Sequence, residues 1–308
     1  MPETQINRST VAATIRNGQY ALDWQAFQAM PLALEAQPSA VARLAAMRGR
    51  SADGGAETWL LERGVAIVPV HGLLMREPSF ISAYFGWSTY RGLRQAAAEI
   101  AARDDVNAVV LHISSPGGQV SALRETYQAF AALDLPRYAV VEGFAASAAY
   151  WIAAAAGDIT MPETDAVGSI GIMARGYDPV APDFEGLQGW VIRSSNAAGK
   201  NPDGTTEDGA TRIRADLDTL EAMFHADVAA GRGMTVEAII ALEGRTMMAA
   251  EAIAAGLADR MGDPDARLDE IIEDYGTAEA GGQPVRRRAA SARARANVAA
   301  ARLRLVTS

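Results

Sequence analysis

Two serines in this 308-residue chain stand where a hydroxyl could do chemistry. Ser147 lies in Val140-Val141-Glu142-Gly143-Phe144-Ala145-Ala146-Ser147-Ala148-Ala149-Tyr150, which reads as a strand, a small-residue turn and the mouth of an Ala-rich helix. Ser115 lies earlier, in Ser114-Ser115-Pro116-Gly117-Gly118, again between an apolar strand and a helix. A hydroxyl at a helix N-terminus commonly serves only as an N-cap. The same place sets the oxygen beside orphan N–H groups and the positive end of a dipole, which suits an anionic tetrahedral intermediate. The paired glycines let backbone N–H groups point into a crevice at the carboxyl end of a parallel strand, where α/β sheets hold ligands. A plain strand-to-helix turn would use the same residues.

A serine nucleophile needs a base, because its free hydroxyl scarcely ionises near neutral pH. Peptidases of the ClpP type carry a similar Ala-Ala-Ser turn with a histidine some way downstream. Here Ile172 occupies that place, and no histidine lies between His112 and His225. Lys200 is the only lysine among 28 basic residues and sits in Ser194-Ser195-Asn196-Ala197-Ala198-Gly199-Lys200-Asn201. Arginine cannot act as a base, whereas a desolvated lysine gives up its proton readily. One lysine kept in a chain that otherwise uses arginine points to a role arginine cannot fill; a stray surface lysine in a polar loop is the plainer alternative.

Positioning these residues requires alternating strands and helices. From Val65 onward, short β-branched runs alternate with Ala-rich helical windows, the pattern of a parallel sheet with crossover helices. The expected strands are Val65 to Val70, Asn107 to Ile113, Tyr138 to Glu142, Asp158 to Met161 and Val167 to Met173. The expected helices are Thr89 to Arg103, Gln119 to Leu133, Ser147 to Ala156, Asp208 to Ala230, Thr235 to Leu242 and Ala249 to Ala255. Residues 1–60, with apolar patches at Tyr20 to Met30 and Leu32 to Met47 and a Gly-Ser-Asp linker at Gly49 to Gly55, read as an N-terminal helical extension. Residues 61–265 form the main domain and 266–308 a C-terminal extension. Its end, Ala280 to Ser308, carries seven Arg and no acid, so the chain's −9 divides into +7 there and −16 elsewhere. Such a tail is a solvated extension or a docking arm for an acidic partner.

Composition narrows the function. A net charge of −9 and 6% aromatic residues argue against nucleic-acid binding. With no cysteine there is no disulfide framework and no thiolate nucleophile or metal site. Three histidines far apart in sequence, His71, His112 and His225, speak against a histidine metal cluster. The longest apolar run, Phe144 to Ala156, is too short to span a membrane and reads as a buried helix. The first 16 residues do not have the pattern of a secretory signal, so a cytoplasmic protein is expected.

The motifs, taken in order, resemble the signal peptide peptidase A type of Ser/Lys peptidase, and within it the phage capsid, or head maturation, proteases. They are Val68-Pro69-Val70-His71-Gly72, Ser115-Pro116-Gly117-Gly118, Ala146-Ser147-Ala148-Ala149-Tyr150-Trp151-Ile152-Ala153, Val167-Gly168-Ser169-Ile170-Gly171, Gly199-Lys200, and Gly244-Arg245 through Ala252-Ile253-Ala254-Ala255-Gly256-Leu257-Ala258-Asp259. The resemblance implies an α/β ClpP/crotonase-like spiral of ββα units, assembled as a homo-oligomer. It implies Ser147 as nucleophile, Lys200 as base, and Ser169 holding the lysine amine unless it is only a turn hydroxyl. It also implies an oxyanion hole from the Gly118 and Ala148 amides and substrate contacts at Gly117 and Ser115. No metal or cofactor is called for. The expected substrates are scaffold, coat or portal polypeptides, met in the host cytoplasm or procapsid, with no membrane or nucleic-acid partner. Two other readings stay open: a crotonase-like acyl-CoA hydratase or isomerase, for which Glu142 is the nearest carboxylate, and a catalytically silent capsid scaffold protein.

Overall fold

In the computed structural model the described residues are 18–22, for their backbone, 58–175, 194 and 195, and 199–276. The central sheet contains β2 (Leu60–Glu62), β3 (Val65–His71), β4 (Ala108–Ser115), β6 (Arg137–Ala146), β8 (Ala166–Gly168) and β10 (Thr246–Met248), in spatial order β10-β8-β6-β4-β3-β2. The core pairs β3·β4, β4·β6 and β6·β8 are parallel, and antiparallel β2 and β10 close the edges. β7 (Asp158–Met161) pairs with the first half of β6 and with β11 (Arg260–Met261). A second sheet has the order β5-β1-β9, built from Gly117–Gln119, Gly18–Leu22 and Met173–Arg175.

The core strands are nearly continuous apolar runs because both faces are covered. Ala66, Val68 and Val70 with Val109, Leu111 and Ile113 join the larger cluster, packed under α2 (Tyr90–Ala101), α3 (Leu123–Ala131) and α4 (Ala148–Ala153). The alternate residues Val65, Ile67, Ala108, Val110 and Val140 meet Leu268, Ile271 and Ile272 of α8 (Pro264–Tyr275) on the other face. Helix α8, most of which falls in the C-terminal extension expected from 266, packs on this face of the sheet. Its apolar residues at i, i+3 and i+4 are the helical stripe that does this.

Other expectations shift for identifiable reasons. Helix α3 starts at Leu123, not Gln119, because Leu74 bonds to the Gly117 carbonyl and the Gln119 N–H and so holds β5 extended. The strand expected over Val167 to Met173 is broken after Gly168 by Ser169, whose φ is +55°. Gly18–Leu22, expected to be part of a helical extension, is a strand with partners on both sides. The rest of that extension, apart from its last residues, and the Arg-rich tail lie outside the described residues. Short α1 (Phe80–Phe85) and α7 (Ala249–Ala254), the long α5 (Glu207–Arg232) and α6 (Val236–Ile240) complete the fold.

Two polar clusters brace the layers. On α5, Asp227 accepts from Arg124 Nε and Nη2 of α3 at 2.9 and 3.1 Å and from the Trp151 indole of α4 at 3.0 Å. Trp151 also stacks on Phe224 at 4.3 Å. At the far end of the α8-covered face, His71 and His112 meet at 2.9 Å between Nε2 and Nδ1. The registers Pro69↔His112 and His71↔Ser114 set the two imidazoles two residues apart on one face, which their separation in sequence hides. Glu142 Oε2 lies 3.5 Å from His112 Nε2. Burial pushes His112 down to about 4 from the ordinary 6.5, so it is neutral at pH 7.

Asp227→Ala strands the buried Trp151 N–H and one arginine, so it is expected to lower unfolding free energy in urea by about 2 to 3 kcal/mol. Arg124→Ala should cost less, since its side chain is 41% exposed. As pH falls below the ordinary 6.5, the unfolded chain takes up a proton that folded His112 refuses until about 4. Stability should therefore drop through that window, by up to about 3 kcal/mol from this group, and His112→Asn should flatten the slope by about one proton. An unchanged slope in denaturant titrations across these pH values would contradict this.

Candidate active site

Ser147 ends β6 and opens α4 at φ 56°, ψ −121°, a conformation seldom adopted by any residue with a Cβ. Its N–H donates to the Gly168 carbonyl at 2.8 Å and its carbonyl accepts from Trp151 N–H at 3.0 Å, so both neighbouring elements hold the turn. The hydroxyl makes no cap bond to the helix it precedes. The N-cap alternative is thereby set aside. The strain at a sharp strand-to-helix turn is the geometry that pushes a nucleophile's oxygen clear of its own backbone. Upstream, the β4·β6 register slips between the pairs Ile113↔Val141 and Ser115↔Ala145, around Gly143 at φ 86°. This bulge re-aims the end of β6 toward the β8 side.

The second turn is built differently. Ser115 is fully buried; its hydroxyl donates to the Gly72 carbonyl at 2.7 Å and accepts from Gly117 N–H at 3.1 Å. Gly117's carbonyl accepts from Leu74 N–H at 2.9 Å, so its polar groups are also committed. Ser115 and Gly117, expected as substrate contacts, make these bonds within the turn. Gly118 is buried too, but its own polar groups turn the other way. Its N–H points away from Leu74, because the flanking Gly117 carbonyl and Gln119 N–H point toward it. A Cβ at Gly118 would lie 1.9 Å from the Leu74 carbonyl oxygen, so only glycine fits. Helix α4 packs against β5, which brings the Gly118 and Ser147 turns together. Ala148 is the first residue of α4, where an N–H has no partner within the helix.

Ser169 follows Gly168 directly. The β6·β8 register pairs Ala146 with Gly168, so Ser147 and Ser169 each follow the last paired residue of adjacent strands. Ser169 is half-buried, with φ +55°, and its N–H donates to the Arg245 carbonyl at 3.0 Å. Gly168 could carry no Cβ, which would come within 2.5 Å of that same carbonyl. Lys200 is exposed, in a loop whose neighbouring residues 176–193 and 196–198 lie outside the described residues. Sequence reasoning missed β5 as a strand, the bulge at Gly143, and the His71/His112 pair. The alternation of committed polar groups at residues 117–119 depends on Leu74, which no local pattern announces.

With this geometry in place, comparison with known proteins is informative. The family model of Peptidase family S49 matches residues 129–276, and that of Clp protease matches residues 88–167. The Capsid assembly protease C of Escherichia phage lambda is 28% identical over 211 residues, 67% of this chain and 48% of its own. The Head-tail preconnector protein GP5 of Enterobacteria phage P21 is 27% identical over 213 residues, 67% of this chain and 42% of its own. The chain thus spans about half the length of these curated relatives. An enoyl-CoA hydratase from Shewanella pealeana overlays with a TM-score of 0.44 and 11% identity, over 70% of this chain and 71% of that one. By its family-model matches and the order of its motifs, the chain is similar to the signal peptide peptidase A type, or S49, peptidases and to their phage capsid protease branch, with a ClpP/crotonase-like α/β fold.

Proposed function

We propose that this protein is a serine endopeptidase that trims scaffold, coat or portal polypeptides during phage head assembly, acting as a homo-oligomer in the host cytoplasm or procapsid. The observation that carries the reading is the strained turn at Ser147, whose hydroxyl is free of cap duty. In this reading Ser147 Oγ attacks the scissile carbonyl while Lys200 Nζ takes its proton, and Ser169 orients the amine. The amides of Gly118 and Ala148 hold the oxyanion, and the lysinium then protonates the departing nitrogen. Lys200 is exposed in the single chain, so the reading requires its loop or a neighbouring subunit to enclose the amine on assembly. The peptidase domain is taken as 61–265, continued by α8, with segments on either side. The acyl-CoA hydratase alternative loses its carboxylate, because Glu142 lies against His112 on the α8-covered face.

Ser147→Ala should abolish cleavage of a co-expressed scaffold or coat polypeptide, a fall of about 10⁴ to 10⁶ in rate, with the fold unchanged by circular dichroism. Lys200→Arg keeps the charge but not the base, so it should be as inactive as Lys200→Ala. Substantial cleavage by a folded Lys200→Arg protein would exclude lysine as the base and leave only the serine assignment standing.

A further inference from the structure

The β5-β1-β9 sheet is an unusual place for an N-terminal segment. β5 carries Gly118, and β9 follows the Ser169 turn; β5 and β9 do not pair with each other but with the same intervening strand, antiparallel on both sides. The gap between them is one strand wide, bounded by two edges that require an extended chain to complete them. An edge of this kind takes any polypeptide through main-chain hydrogen bonds. Here its occupant is Gly18–Leu22, with Tyr20 set between Gln119 and Met173.

The register identifies which peptide bond is presented. Leu74 takes the Gly117 carbonyl and the Gln119 N–H, so the Gly118 N–H and carbonyl face β1, where the residue directly opposite is Ala21. Opposed residues whose polar groups face each other in an antiparallel pair exchange both bonds. The Ala21 carbonyl therefore receives the Gly118 amide, the one given above to the oxyanion hole. The peptide bond whose carbonyl occupies that position is Ala21–Leu22.

Resting on the serine peptidase reading, we infer that Gly18–Leu22 occupies the substrate cleft as the enzyme's own first substrate, cut between Ala21 and Leu22. Ser147 Oγ bonds to the Ala21 carbonyl carbon and its proton passes to the base. The Ala21–Leu22 C–N bond breaks, and the Leu22 nitrogen leaves as an amine carrying that proton. Water then adds to the acyl-enzyme, releasing the Ala21 carboxylate and restoring the serine. Until the cut is made, the strand fills the cleft; afterwards the edges of β5 and β9 are open to an extended polypeptide.

The test is intact-mass analysis and N-terminal sequencing of the full chain purified after expression, beside Ser147→Ala, with cleavage of a co-expressed scaffold or coat polypeptide followed in the same cells. The expected result is a wild-type chain beginning at Leu22 and a Ser147→Ala chain uncut at that bond. Tyr20→Pro removes an N–H that faces β9, so it should slow the cut at least about tenfold without disturbing the central sheet. A wild-type enzyme that processes the added polypeptide while Ala21–Leu22 stays whole overturns this inference and spares the peptidase reading. Loss of both activities overturns both, and a cut at Ala21–Leu22 that persists in Ser147→Ala assigns the cleavage to another protease and overturns it as well.

Discussion

The hydrogen bond from Ser147 N–H to the Gly168 carbonyl, 2.8 Å long, is the constraint on which the site depends. It ties the end of one parallel strand to the end of the next and holds a side-chain-bearing residue at positive φ, a conformation that costs about 1 to 3 kcal/mol. Such strain persists only when its surroundings over-determine it. Here they do so from three sides: the Gly143 bulge sets the direction of β6, the Gly168–Arg245 approach admits no Cβ, and Trp151 anchors α4 through Asp227 and Phe224. The core beneath is apolar and closed, so the turn has no softer direction in which to relax.

The Gly118 turn is the complement of this arrangement. Where Ser147 is held by strain, Gly118 is held by saturation: the Ser115 hydroxyl and the N–H and carbonyl of Gly117 are already bonded, in part to Gly72 and Leu74. What remains is one amide aimed across a strand-wide gap. That a segment of the same chain fills the gap follows from the cost of leaving two strand edges unpaired.

Much of this was legible in the sequence, and the limits have physical causes. The strands expected from Val65, Asn107 and Asp158 begin at Val65, Ala108 and Asp158, because parallel strands covered on both faces become apolar runs, which a linear scan detects. Ser147 at a strand-to-helix turn was visible for the same reason. The bonds that occupy the Ser115 hydroxyl and hold the Ser147 turn were not, since they run to Gly72 and Gly168, both distant in sequence. Gly18–Leu22 misled because five residues with no strong alternation carry no helix or strand signal of their own; the edges of β5 and β9 impose the extended form. The packing of α8, most of which falls in the expected C-terminal extension, was not legible because its burial depends on a sheet face that only the assembled strands create.

The central claim is that the hydroxyl of Ser147, on its strained turn, and not that of Ser115, which is bonded to Gly72 and Gly117, is the nucleophile. Treating the protein with a fluorophosphonate and mapping the adduct by peptide mass spectrometry tests it most directly. The account predicts a single phosphonylated residue, Ser147, with labelling lost on unfolding. An adduct at Ser115 or at another serine, with Ser147 unmodified, would contradict it.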